Sequence, residues 1–404
     1  MKKTAMIAKQ AEKYDSFYLY DENRIITSVN TLKENFPQVQ FLYSIKCNPN
    51  RHLLHSIFAQ GFGADAASFG EVLLANEAGL KKDEIYYSAP GKTTEDIKNA
   101  IGKSTLIADS LGEIQRIQTV ASQAGITANI GIRINPDFSF CGGCGQPSKF
   151  GIDEDQAAAF LRDNDCKNVK ITGIHVHLRS QELNTRILSD YYGKILRLAE
   201  KFRSLCGELE YVNMGSGMGI PYSMNESPLD MNLLSGSIKS ELDKFRASCP
   251  NTKLIIETGR YVVGKSGVYV TKVIDRKVSR GKTYLILKNT LNGFIRPSLA
   301  VLVKHSASQE EPAAAEPLFT GTDAFQFLTL KDYEQAELVT LVGNLCTAAD
   351  VVAEDIMLPH LECGDCIVIT NAGSYAAALS PMQFSTQEKP AEIFLTVGGK
   401  IIIG

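Results

Sequence analysis

An apolar run with the composition of a β-strand, Phe41–Ile45, leads directly into Lys46. Strands rich in aromatic and β-branched residues usually finish in a turn of Gly, Asn or Asp, whereas here a lysine is held against the strand end. A lysine amine that is partly removed from water can act as a nucleophile and form a Schiff base with a carbonyl compound. A solvated surface lysine is the more common occurrence. The residues at the other strand ends must therefore decide between these two interpretations.

Two further strand ends carry groups that would complement such a lysine. Three glycines within Gly215–Gly219 follow a strand, where backbone N–H groups can close around an anion. Arg260 has the forked donor set that suits phosphate, or else it forms an ion pair. Glu257 would be buried and needs a partner, which could be Arg260, Arg133 or the protonated nitrogen of a pyridine ring. An amine, an anion cradle and a carboxylate together meet the requirements of pyridoxal phosphate.

The elements that must position these groups follow from an alternation of apolar runs and helical patterns. Within Glu113–Ala121, for example, Ile114, Ile117 and Val120 recur at helical spacing. Eight runs are predicted to be strands: Val39–Ile45, Phe62–Ala66, Ile85–Ser88, Thr105–Ala108, Ala128–Ile134, Ile171–His177, Glu210–Met214 and Leu254–Glu257. Eight strand–helix units predict an α/β architecture, a closed (β/α)8 barrel of the TIM type. In such a barrel the chemistry lies at the carboxyl ends of the strands.

Beyond Glu257 the chain changes to strand patterns with few helices between them. Gly267–Val273 and Lys282–Leu287 flank the turn-like Ser279–Gly281 and predict a β-hairpin. Further strands and one exposed, low-complexity loop are predicted at Phe17–Tyr20, Leu338–Val342, Ile367–Thr370 and Ile393–Ile403, with the loop at Glu310–Pro317. The predicted domains are the barrel, residues 22–258, and a β-rich domain of the sandwich or barrel type, residues 1–21 and 259–404.

Composition and charge exclude several classes of function. A net charge of −3 disfavours binding to nucleic acid or to an anionic membrane surface. No apolar stretch approaches the ~20 residues of a membrane span, and the apolar run near the start is too short for a signal peptide. Nine cysteines, an odd number, are expected to be free thiols in a reducing cytoplasm. We therefore expect a cytoplasmic enzyme that acts on a small molecule, with no nucleic-acid or membrane partner.

The sequence blocks around these residues resemble the fold-type III pyridoxal-phosphate decarboxylases, the group that contains diaminopimelate and ornithine decarboxylases. Tyr43–Asn48 is similar to the family's Schiff-base lysine motif, His177–Gln181 to its His-x-Gly-Ser motif and Glu257–Arg260 to its Glu-Pro-Gly-Arg block. The resemblance covers nearly the whole chain and implies that the predicted barrel is alanine-racemase-like. It implies a carboxy-lyase that removes CO2 from the α-carbon of an amino acid through a lysine-bound Schiff base. It also implies pyridoxal 5'-phosphate as the cofactor, bound by Lys46, Asp65, Arg133, His177, Ser180, Gly215, Ser216, Gly217, Glu257, Gly259, Arg260 and Tyr375.

The same resemblance implies a homodimer with shared active sites. Leu345–Asp350 is similar to the block whose cysteine crosses the dimer interface. Cys346 of one subunit is therefore expected to protonate the carbanion in the other subunit, with Lys46 as the second catalytic residue. Asn292–Pro297 is similar to the block whose arginine binds a distal carboxylate. The substrate-binding residues implied in this way are Arg296, Thr347 and Asp350.

Thr347 departs from the family pattern, because diaminopimelate and ornithine decarboxylases carry an acidic residue there to hold a distal amine. A site with Arg296 and a neutral Thr347 suits a substrate with an acidic or carbonyl end and no distal cation. The Cys-Thr-x-x-Asp pattern also resembles specialised relatives that decarboxylate citryl-diaminopropionate or a carrier-protein-bound glutamyl group. We therefore expect a role in amino-acid metabolism with a free, conjugated or carrier-bound substrate.

Two other functions are open at this point. An amino-acid racemase would use a related barrel and the same cofactor, but racemases need a tyrosine base and usually an arginine at the pyridine nitrogen. This chain has Cys346 and Glu257 in those functional positions. A regulatory homologue that has lost the cofactor would not need to retain Lys46, Glu257 and Cys346. Both alternatives are therefore weaker than decarboxylation.

Two other sets of residues could bind a metal ion. Cys141 with Cys144, and Cys363 with Cys366, could supply four zinc thiolates. The two pairs lie far apart in sequence, whereas four-cysteine zinc sites are usually more closely spaced, so no metal is expected. His175 shares a strand face with His177 and is expected to be a structural histidine.

Overall fold

The computed structural model describes residues 3–163, 166–306, 316–331 and 335–404. The chain divides into two compact units. The barrel unit comprises Ile26–Ile220 and Pro228–Gly259, and the β-rich unit comprises Met1–Ile25, Pro221–Ser227 and Arg260–Gly404. The domain limits expected from the sequence, after residues 21 and 258, stay a prediction.

The described residues form eighteen strands and eleven α-helices. The strands are β1 (Ser16–Asp21), β2 (Val39–Ser44), β3 (Gly63–Ala66), β4 (Ile85–Tyr87), β5 (Thr105–Ala108), β6 (Ala128–Asn135), β7 (Ile152–Asp153), β8 (Val169–His175), β9 (Tyr211–Asn213), β10 (Lys253–Thr258), β11 (Gly267–Ser279), β12 (Lys282–Leu287), β13 (Phe327–Thr329), β14 (Ala336–Gly343), β15 (Val351–Pro359), β16 (Cys366–Ile369), β17 (Ala391–Leu395) and β18 (Ile401–Ile403). The helices are α1 (Lys3–Ala11), α2 (Glu22–Asn35), α3 (Arg51–Phe58), α4 (Phe69–Glu77), α5 (Thr94–Ala100), α6 (Leu111–Gln123), α7 (Glu154–Asp163), α8 (Thr185–Cys206), α9 (Met231–Ser248), α10 (Arg260–Val263) and α11 (Ile295–Ser306).

Eight parallel strands close into a barrel in the barrel unit. Their order is β5-β4-β3-β2-β10-β9-β8-β6, the pairing of β5 with β6 closes the ring, and the short β7 extends β6. One buried apolar cluster joins five of these strands through Leu42, Tyr86, Ile107, Tyr211 and Ile255. The predicted (β/α)8 barrel is confirmed, and each predicted strand lies within two residues of an observed one.

Capping side chains begin six of the helices that follow the barrel strands. The side chains of six N-cap residues accept hydrogen bonds from the first-turn N–H groups of α3, α4, α5, α6, α8 and α9: Asn50, Ser68, Thr93, Ser110, Asn184 and Asp230. Each such cap contributes about 1 kcal/mol, because it satisfies donors that the helix itself leaves unpaired. The caps therefore fix where each loop at the carboxyl ends of the strands passes into its helix.

The β-rich unit is built on one nine-stranded sheet. The main path runs β15-β14-β12-β11-β1-β17-β18, and β16 pairs with both β11 and β13. The strand β1 is antiparallel to β11 and parallel to β17, so the N-terminal strand joins this sheet, as the sequence predicts. Apolar side chains from α1 and from four strands form its buried core, which includes Ile7, Phe17, Val270, Val368 and Ile393.

The C-terminal strand predictions are refined by the structure. The predicted hairpin is formed by β11 and β12, although β11 extends as far as Ser279. The run Ile393–Ile403 is divided into the antiparallel strands β17 and β18, with Gly399 at a φ of +77° in the intervening turn. Of the predicted loop Glu310–Pro317, only Glu316 and Pro317 belong to the described residues. Across the described part of the chain, every helix is too short or too polar to cross a membrane.

Candidate active site

Lys46 lies on a single 3-10 turn, Ile45–Cys47, that continues directly from β2. Its side chain is 43% exposed, although Ile45 and Cys47 on either side are buried. Gly259 follows the adjacent strand β10 and makes room for this turn, because a Cβ at Gly259 would lie 2.1 Å from the Cys47 Sγ. The barrel thus presents a reachable amine at the carboxyl end of a strand, as a nucleophilic lysine requires.

Asp65 on β3 fixes the direction of the Lys46 side chain. Its Oδ2 lies 2.7 Å from the Lys46 Nζ, and its Oδ1 accepts a hydrogen bond from the Ser88 hydroxyl at 2.9 Å. Glu71 in the first turn of α4 stands close to this pair and accepts a hydrogen bond from the Ala67 N–H at 2.7 Å. Burial, with a smaller contribution from the Asp65 charge, raises the pKa of Glu71 to about 7, although the Ala67 hydrogen bond and the Lys46 charge oppose the shift. Glu71 therefore changes charge near neutral pH.

Glu257 on β10 is a buried carboxylate that the barrel keeps ionised. Its Oε1 accepts a hydrogen bond from the Asn213 side chain at 2.8 Å and lies 3.2 Å from the His175 Nε2. Burial would raise the pKa of Glu257, but His175 and the Lys46 charge together hold that pKa well below its usual range. His175, which the sequence predicts to be only structural, therefore positions this carboxylate together with Asn213.

His177, just beyond β8, is a neutral imidazole. Burial, together with the charges of Arg133 and Lys46, lowers the pKa of His177 to about 4, although Glu257 opposes this effect. Its Nδ1 accepts a hydrogen bond from the Ser216 N–H at 3.3 Å. The proton of the neutral ring is thereby assigned to Nε2, which lies 3.5 Å from the Ser180 hydroxyl. The ring is therefore uncharged and fixed in orientation.

Arg133 on β6 holds the backbone next to this imidazole. Its guanidinium donates to the His177 carbonyl at 3.0 Å, lies 3.6 Å from the Asp109 carboxylate and packs 4.4 Å from the centre of the Phe150 ring. Arg133 was predicted to bind the cofactor. Its contacts in the structure are those of a residue that positions His177, and direct cofactor binding stays a prediction.

The Gly215–Gly219 loop follows β9 and folds tightly against the His177 segment. Gly215 and Gly217 have φ angles of +60° and +88°, and a Cβ at Gly215 would lie 2.5 Å from the Val176 carbonyl oxygen. The Tyr192 hydroxyl donates to the Ser216 carbonyl at 2.6 Å and anchors the loop to α8. Glycines with this curled backbone form the concave loop in which N–H groups converge on an anion.

The residues of the barrel unit fit pyridoxal phosphate. Lys46 offers the amine, the glycine loop and Ser180 offer an anion cradle, and His177 offers a neutral flat ring. Glu257 remains a carboxylate, as required of a partner for a protonated pyridine nitrogen. The fold and this set of side chains together define a pyridoxal-phosphate enzyme of the (β/α)8 class.

The β-rich unit holds a second cluster of predicted site residues around Tyr222. The guanidinium groups of Arg260 and Arg296 lie 5.5 Å and 5.0 Å from the centre of its ring and donate to its hydroxyl at 2.9 Å and 3.2 Å. Burial alone would raise the pKa of Tyr222, but the two cations and a hydrogen bond with Ser374 lower it. Tyr375 packs against Arg260 and has a φ of +54°, which a non-glycine residue adopts only when its surroundings enforce it.

Glu316 is a member of this cluster that the sequence does not reveal. It forms an ion pair with Arg260, and its Oε1 accepts a hydrogen bond from the Thr320 hydroxyl at 2.6 Å. The Thr320 hydroxyl also receives a hydrogen bond from Arg296. Tyr222 was missed as well. Both residues lie in irregular segments, and only long-range folding brings them to the two arginines.

Cys346 and Thr347 lie on an exposed loop after β14. Asp350 holds this loop in shape. Its Oδ2 accepts a hydrogen bond from the Leu345 N–H at 3.1 Å, and its Oδ1 accepts one from the Thr290 hydroxyl at 2.5 Å. Asp350 is buried, and both of its oxygens are engaged in these bonds. Asp350 therefore positions this loop, and its predicted contact with substrate stays a prediction.

The two cysteine pairs belong to different units of the chain. Cys141 and Cys144 are exposed on a turn. The Arg179 guanidinium donates a hydrogen bond to the Cys141 Sγ at 3.0 Å. Cys363 is exposed and Cys366 is buried on β16. Among the described residues, no three or more His, Cys, Asp and Glu side chains are grouped as a metal ion would require.

Comparison with known proteins establishes the family. Residues 22–264 match the family described as pyridoxal-dependent decarboxylase, pyridoxal binding domain. Because this match covers more than half of the sequence, the chain belongs to the pyridoxal-dependent decarboxylases. It is a pyridoxal-phosphate-dependent amino-acid decarboxylase, which confirms the predicted cofactor, reaction class and family. The racemase and non-catalytic alternatives receive no support.

Two relatives and one solved structure illustrate the similarity. L-glutamyl-[BtrI acyl-carrier protein] decarboxylase of Niallia circulans is 31% identical, over 96% of this chain and 90% of that protein. Diaminopimelate decarboxylase of Aquifex aeolicus is 27% identical, over 96% of this chain and 88% of that protein. The crystal structure of Helicobacter pylori diaminopimelate decarboxylase with L-lysine has a TM-score of 0.82 at 27% identity, over 98% of this chain and 95% of that one.

Proposed function

We propose that this decarboxylase acts on an amino acid whose side chain ends in a carboxylate or carbonyl group and carries no distal cation. The observation that carries the proposal is the buried Arg296, which contacts Tyr222 beside a second buried arginine, Arg260. Arg260 is ion-paired with Glu316 and remains a predicted cofactor ligand. Two buried guanidinium groups at one place favour an acidic or carbonyl oxygen over an ammonium group. Thr347 adds no negative charge to the loop that the family uses for a distal amine.

A carrier-bound or otherwise conjugated glutamyl-like group is the substrate that we favour within this class. The 31% identical relative from Niallia circulans is named as a decarboxylase of a glutamyl group on an acyl-carrier protein. A conjugated end presents a carbonyl oxygen, and a guanidinium can donate to it as well as to a carboxylate. Diaminopimelate fits less well, because its distal ammonium group would lie close to the positive charges of Arg260 and Arg296.

The residues of the chain have distinct parts in the mechanism. Lys46 would bind the cofactor through Nζ, with Asp65 setting the direction of its side chain. The glycine loop with Ser180 would hold the phosphate, with Tyr375 as a further predicted ligand. His177 would lie against the ring, and Glu257 would keep the ring nitrogen protonated. Pyridoxal phosphate, when bound, supplies an electron sink for the pair of electrons that departing CO2 leaves on the α-carbon.

We also propose that the chain works as a cytoplasmic homodimer in which Cys346 of one subunit donates a proton to the α-carbon in the other. The exposed position of this thiol, on a loop braced by Asp350, supports the proposal. Mixing Lys46→Ala and Cys346→Ala chains, each inactive alone, should restore about a quarter of the activity if sites are shared between exchanging subunits. If activity is not restored in a mixture in which subunit exchange has been verified, the active sites are not shared between subunits.

The substrate proposal is tested by CO2 release from a panel of free and conjugated amino acids. We expect glutamate, its amides and a carrier-bound glutamyl group to be preferred to diaminopimelate, ornithine and lysine. Arg296→Ala should raise KM for the preferred substrate by roughly tenfold to hundredfold with a smaller change in kcat. Arg276→Ala, which removes an arginine paired with Glu337 on the strands β11 and β14, is the matched control. A preference for diamino acids would overturn the proposal.

A further inference from the structure

Two exposed cysteines lie three positions apart on the loop that follows the carboxyl end of β6. Cys144 pairs with Phe138 in an isolated antiparallel bridge, so the chain folds back on itself around Cys141. Gly142 and Gly143 between the cysteines have φ angles of +101° and +99°. These glycines give the turn a backbone freedom that other residues lack. A tight turn brings residues three positions apart within about 7 Å between Cα atoms, which is the reach of a disulfide.

The other pair with the same spacing, Cys363 and Cys366, has a different environment. Cys366 is buried in the apolar core of the β-rich unit and is the first residue of β16. A disulfide to Cys363 would have to withdraw this side chain from the core. Burial also raises the pKa of the Cys366 thiol, which leaves less of the thiolate that disulfide exchange requires. The structure therefore supports disulfide chemistry at the first pair only.

A metal ion is the alternative ligand of a cysteine pair. A structural zinc site needs four ligands, of which Cys141 and Cys144 would provide two. In the part of the chain that the structure describes, no third His, Cys, Asp or Glu side chain joins them in such a group. Oxidation of the two thiols is therefore the chemistry that this turn fits.

The turn contacts both segments that form the anion cradle, the Gly215–Gly219 loop and Ser180. The Arg179 guanidinium donates to the Cys141 Sγ at 3.0 Å, and Arg179 directly precedes Ser180. Phe140, which directly precedes Cys141, is buried. A Cβ at Gly217 would lie 3.0 Å from the Phe140 Cζ, so this ring packs closely against the glycine loop. The conformation of the turn therefore affects both parts of the cradle.

We propose that Cys141 and Cys144 are a reversible dithiol–disulfide pair whose oxidation weakens the hold of the adjacent cradle on the cofactor phosphate. The oxidant is a low-molecular-weight disulfide. The Cys141 thiolate attacks one sulfur of this disulfide, which forms a mixed disulfide and releases one thiolate. The Cys144 thiolate then attacks the Cys141 sulfur, which forms the Cys141–Cys144 bond and releases the second thiolate.

The exchange is balanced and reversible. The two cysteines together lose two electrons and two protons, and the oxidant takes up both and becomes two thiols. An excess of thiol reverses both steps. The closed loop spans only four residues, so the disulfide gains less stability from loop closure than one that joins distant parts of a chain. The pair is therefore a dithiol in a reducing environment and a disulfide only when the oxidant accumulates.

Oxidation weakens the cradle because the turn must rearrange. The Cys141 sulfur is redirected from the Arg179 guanidinium to Cys144, and a disulfide sulfur carries no negative charge that could attract this cation. Loss of the contact releases the segment that carries Ser180, and movement of Phe140 removes packing from the glycine loop. A cradle that is less preorganised binds an anion less tightly, because binding must then order it.

The first measurement asks whether the disulfide forms. The holoenzyme is equilibrated with mixtures of reduced and oxidised glutathione and denatured in an alkylating reagent, and its tryptic peptides are analysed by mass spectrometry. The peptide Ile134–Lys149 contains both Cys141 and Cys144. We expect this peptide to lose two hydrogens, to resist alkylation as the oxidised fraction rises and to revert in excess reduced glutathione. A peptide that remains alkylated, or carries only glutathione adducts, would overturn the proposal.

The second measurement asks whether the disulfide acts on the cradle. Reduced and oxidised holoenzyme are diluted, and dissociation of the cofactor is followed by the fall in its visible absorbance. We expect dissociation to be roughly threefold to tenfold faster from the oxidised protein. Cys144→Ser is the matched control, because it cannot form the bond but retains the Cys141–Arg179 contact and the Cys346 thiol. Its dissociation rate should not change on oxidation.

The control also identifies which thiol is responsible. Equal acceleration in Cys144→Ser would assign the effect to another cysteine, such as Cys346, and would overturn the role of the pair. Equal rates in reduced and oxidised wild-type protein, with the disulfide verified by mass, would overturn the link to the cradle. Arg179→Ala tests the contact through which the link runs. The reduced variant should already release the cofactor faster, and oxidation should add less than in the wild-type chain; an undiminished effect of oxidation would contradict this route.

Discussion

The barrel unit contains two lysine–carboxylate pairs that have the same Nζ–O distance but different roles. The Nζ–O distance is 2.7 Å both in Lys46–Asp65 and in Lys92–Glu113. The Lys46 side chain is 43% exposed, whereas both side chains of the second pair are completely buried. The Lys92 amine also donates to the Ile107 carbonyl at 2.8 Å. The pairs thus differ in what else can reach the amine.

Burial accounts for the electrostatic behaviour of the second pair. Removal from water lowers the pKa of Lys92 and raises the pKa of Glu113, and the attraction between the two groups only partly opposes both shifts. A carboxylate partner is therefore not what makes a lysine a nucleophile. Lys46 can form a covalent bond with a cofactor because its turn leaves the amine accessible, whereas Lys92 is enclosed and supports the barrel.

The largest expected effect is the loss of chemistry in Lys46→Met. This change removes the nucleophilic amine and keeps most of the side-chain volume, so CO2 release should fall by about 10³-fold or more. The visible absorbance of cofactor bound through an amine should disappear, as measured by spectrophotometry of the purified protein. Persistence of both signals would show that another lysine is the nucleophile and would remove the basis of the comparison.

Lys92→Met should affect stability and not chemistry. It leaves Glu113 buried without its cation, which typically costs roughly 3–5 kcal/mol of unfolding free energy, measured by denaturant titration. The double variant Lys92→Met/Glu113→Leu should recover part of that loss, because it removes the uncompensated charge. Cofactor absorbance should survive in whichever variant folds. Equal stability of Lys92→Met and the wild-type chain would mean that the pair is not an essential support.

Asp65→Asn should have an intermediate effect, because it keeps the bond to Ser88 but removes the charge that directs Lys46. We expect kcat/KM to fall roughly tenfold to hundredfold, the usual consequence of a misplaced reactive group. Asp65→Glu should restore part of the activity, and Ser88→Ala should cost less than Asp65→Asn. An Asp65→Asn enzyme with unchanged kinetics would show that the turn alone orients the lysine.

The barrel and its main catalytic groups are predictable from the sequence because they depend on local patterns. Lys46, the Gly215–Gly219 loop and Glu257 each adjoin an apolar run, and the end of a strand is readable from that run. The two C-terminal strands were harder to divide, because Ile393–Ile403 is apolar at both ends and only Gly399 marks the turn.

The supporting residues could not be predicted in the same way. His175 and Asn213 lie on different strands and meet Glu257 only when the barrel closes. Glu316 reaches Arg260 across 56 positions of sequence from an irregular segment. Contacts of this kind depend on tertiary structure, and neither hydrophobic period nor motif spacing carries a signal for them.

The smallest expected effect concerns Glu71, which lies close to the Lys46–Asp65 pair. Folding raises the pKa of Glu71 from its ordinary value of 4.5 to about 7, so the folded chain holds this proton more tightly than the unfolded chain. The contribution of Glu71 to stability therefore becomes less favourable as pH rises from about 4.5 to 7 and stays constant above that. Glutamine at this position would not ionise.

Glu71→Gln should consequently have a Tm close to that of the wild-type chain near pH 5 and a higher Tm at pH 8. The amide oxygen can still accept the Ala67 N–H, so the start of α4 is preserved. Thermal unfolding of both proteins between pH 5 and 8 measures the difference, and Glu77→Gln, an exposed glutamate on the same helix, is the control. A Tm difference independent of pH would show that Glu71 titrates alike in the folded and unfolded chain. Glu71 would then lie close to the Lys46–Asp65 pair without a net effect of folding on its pKa.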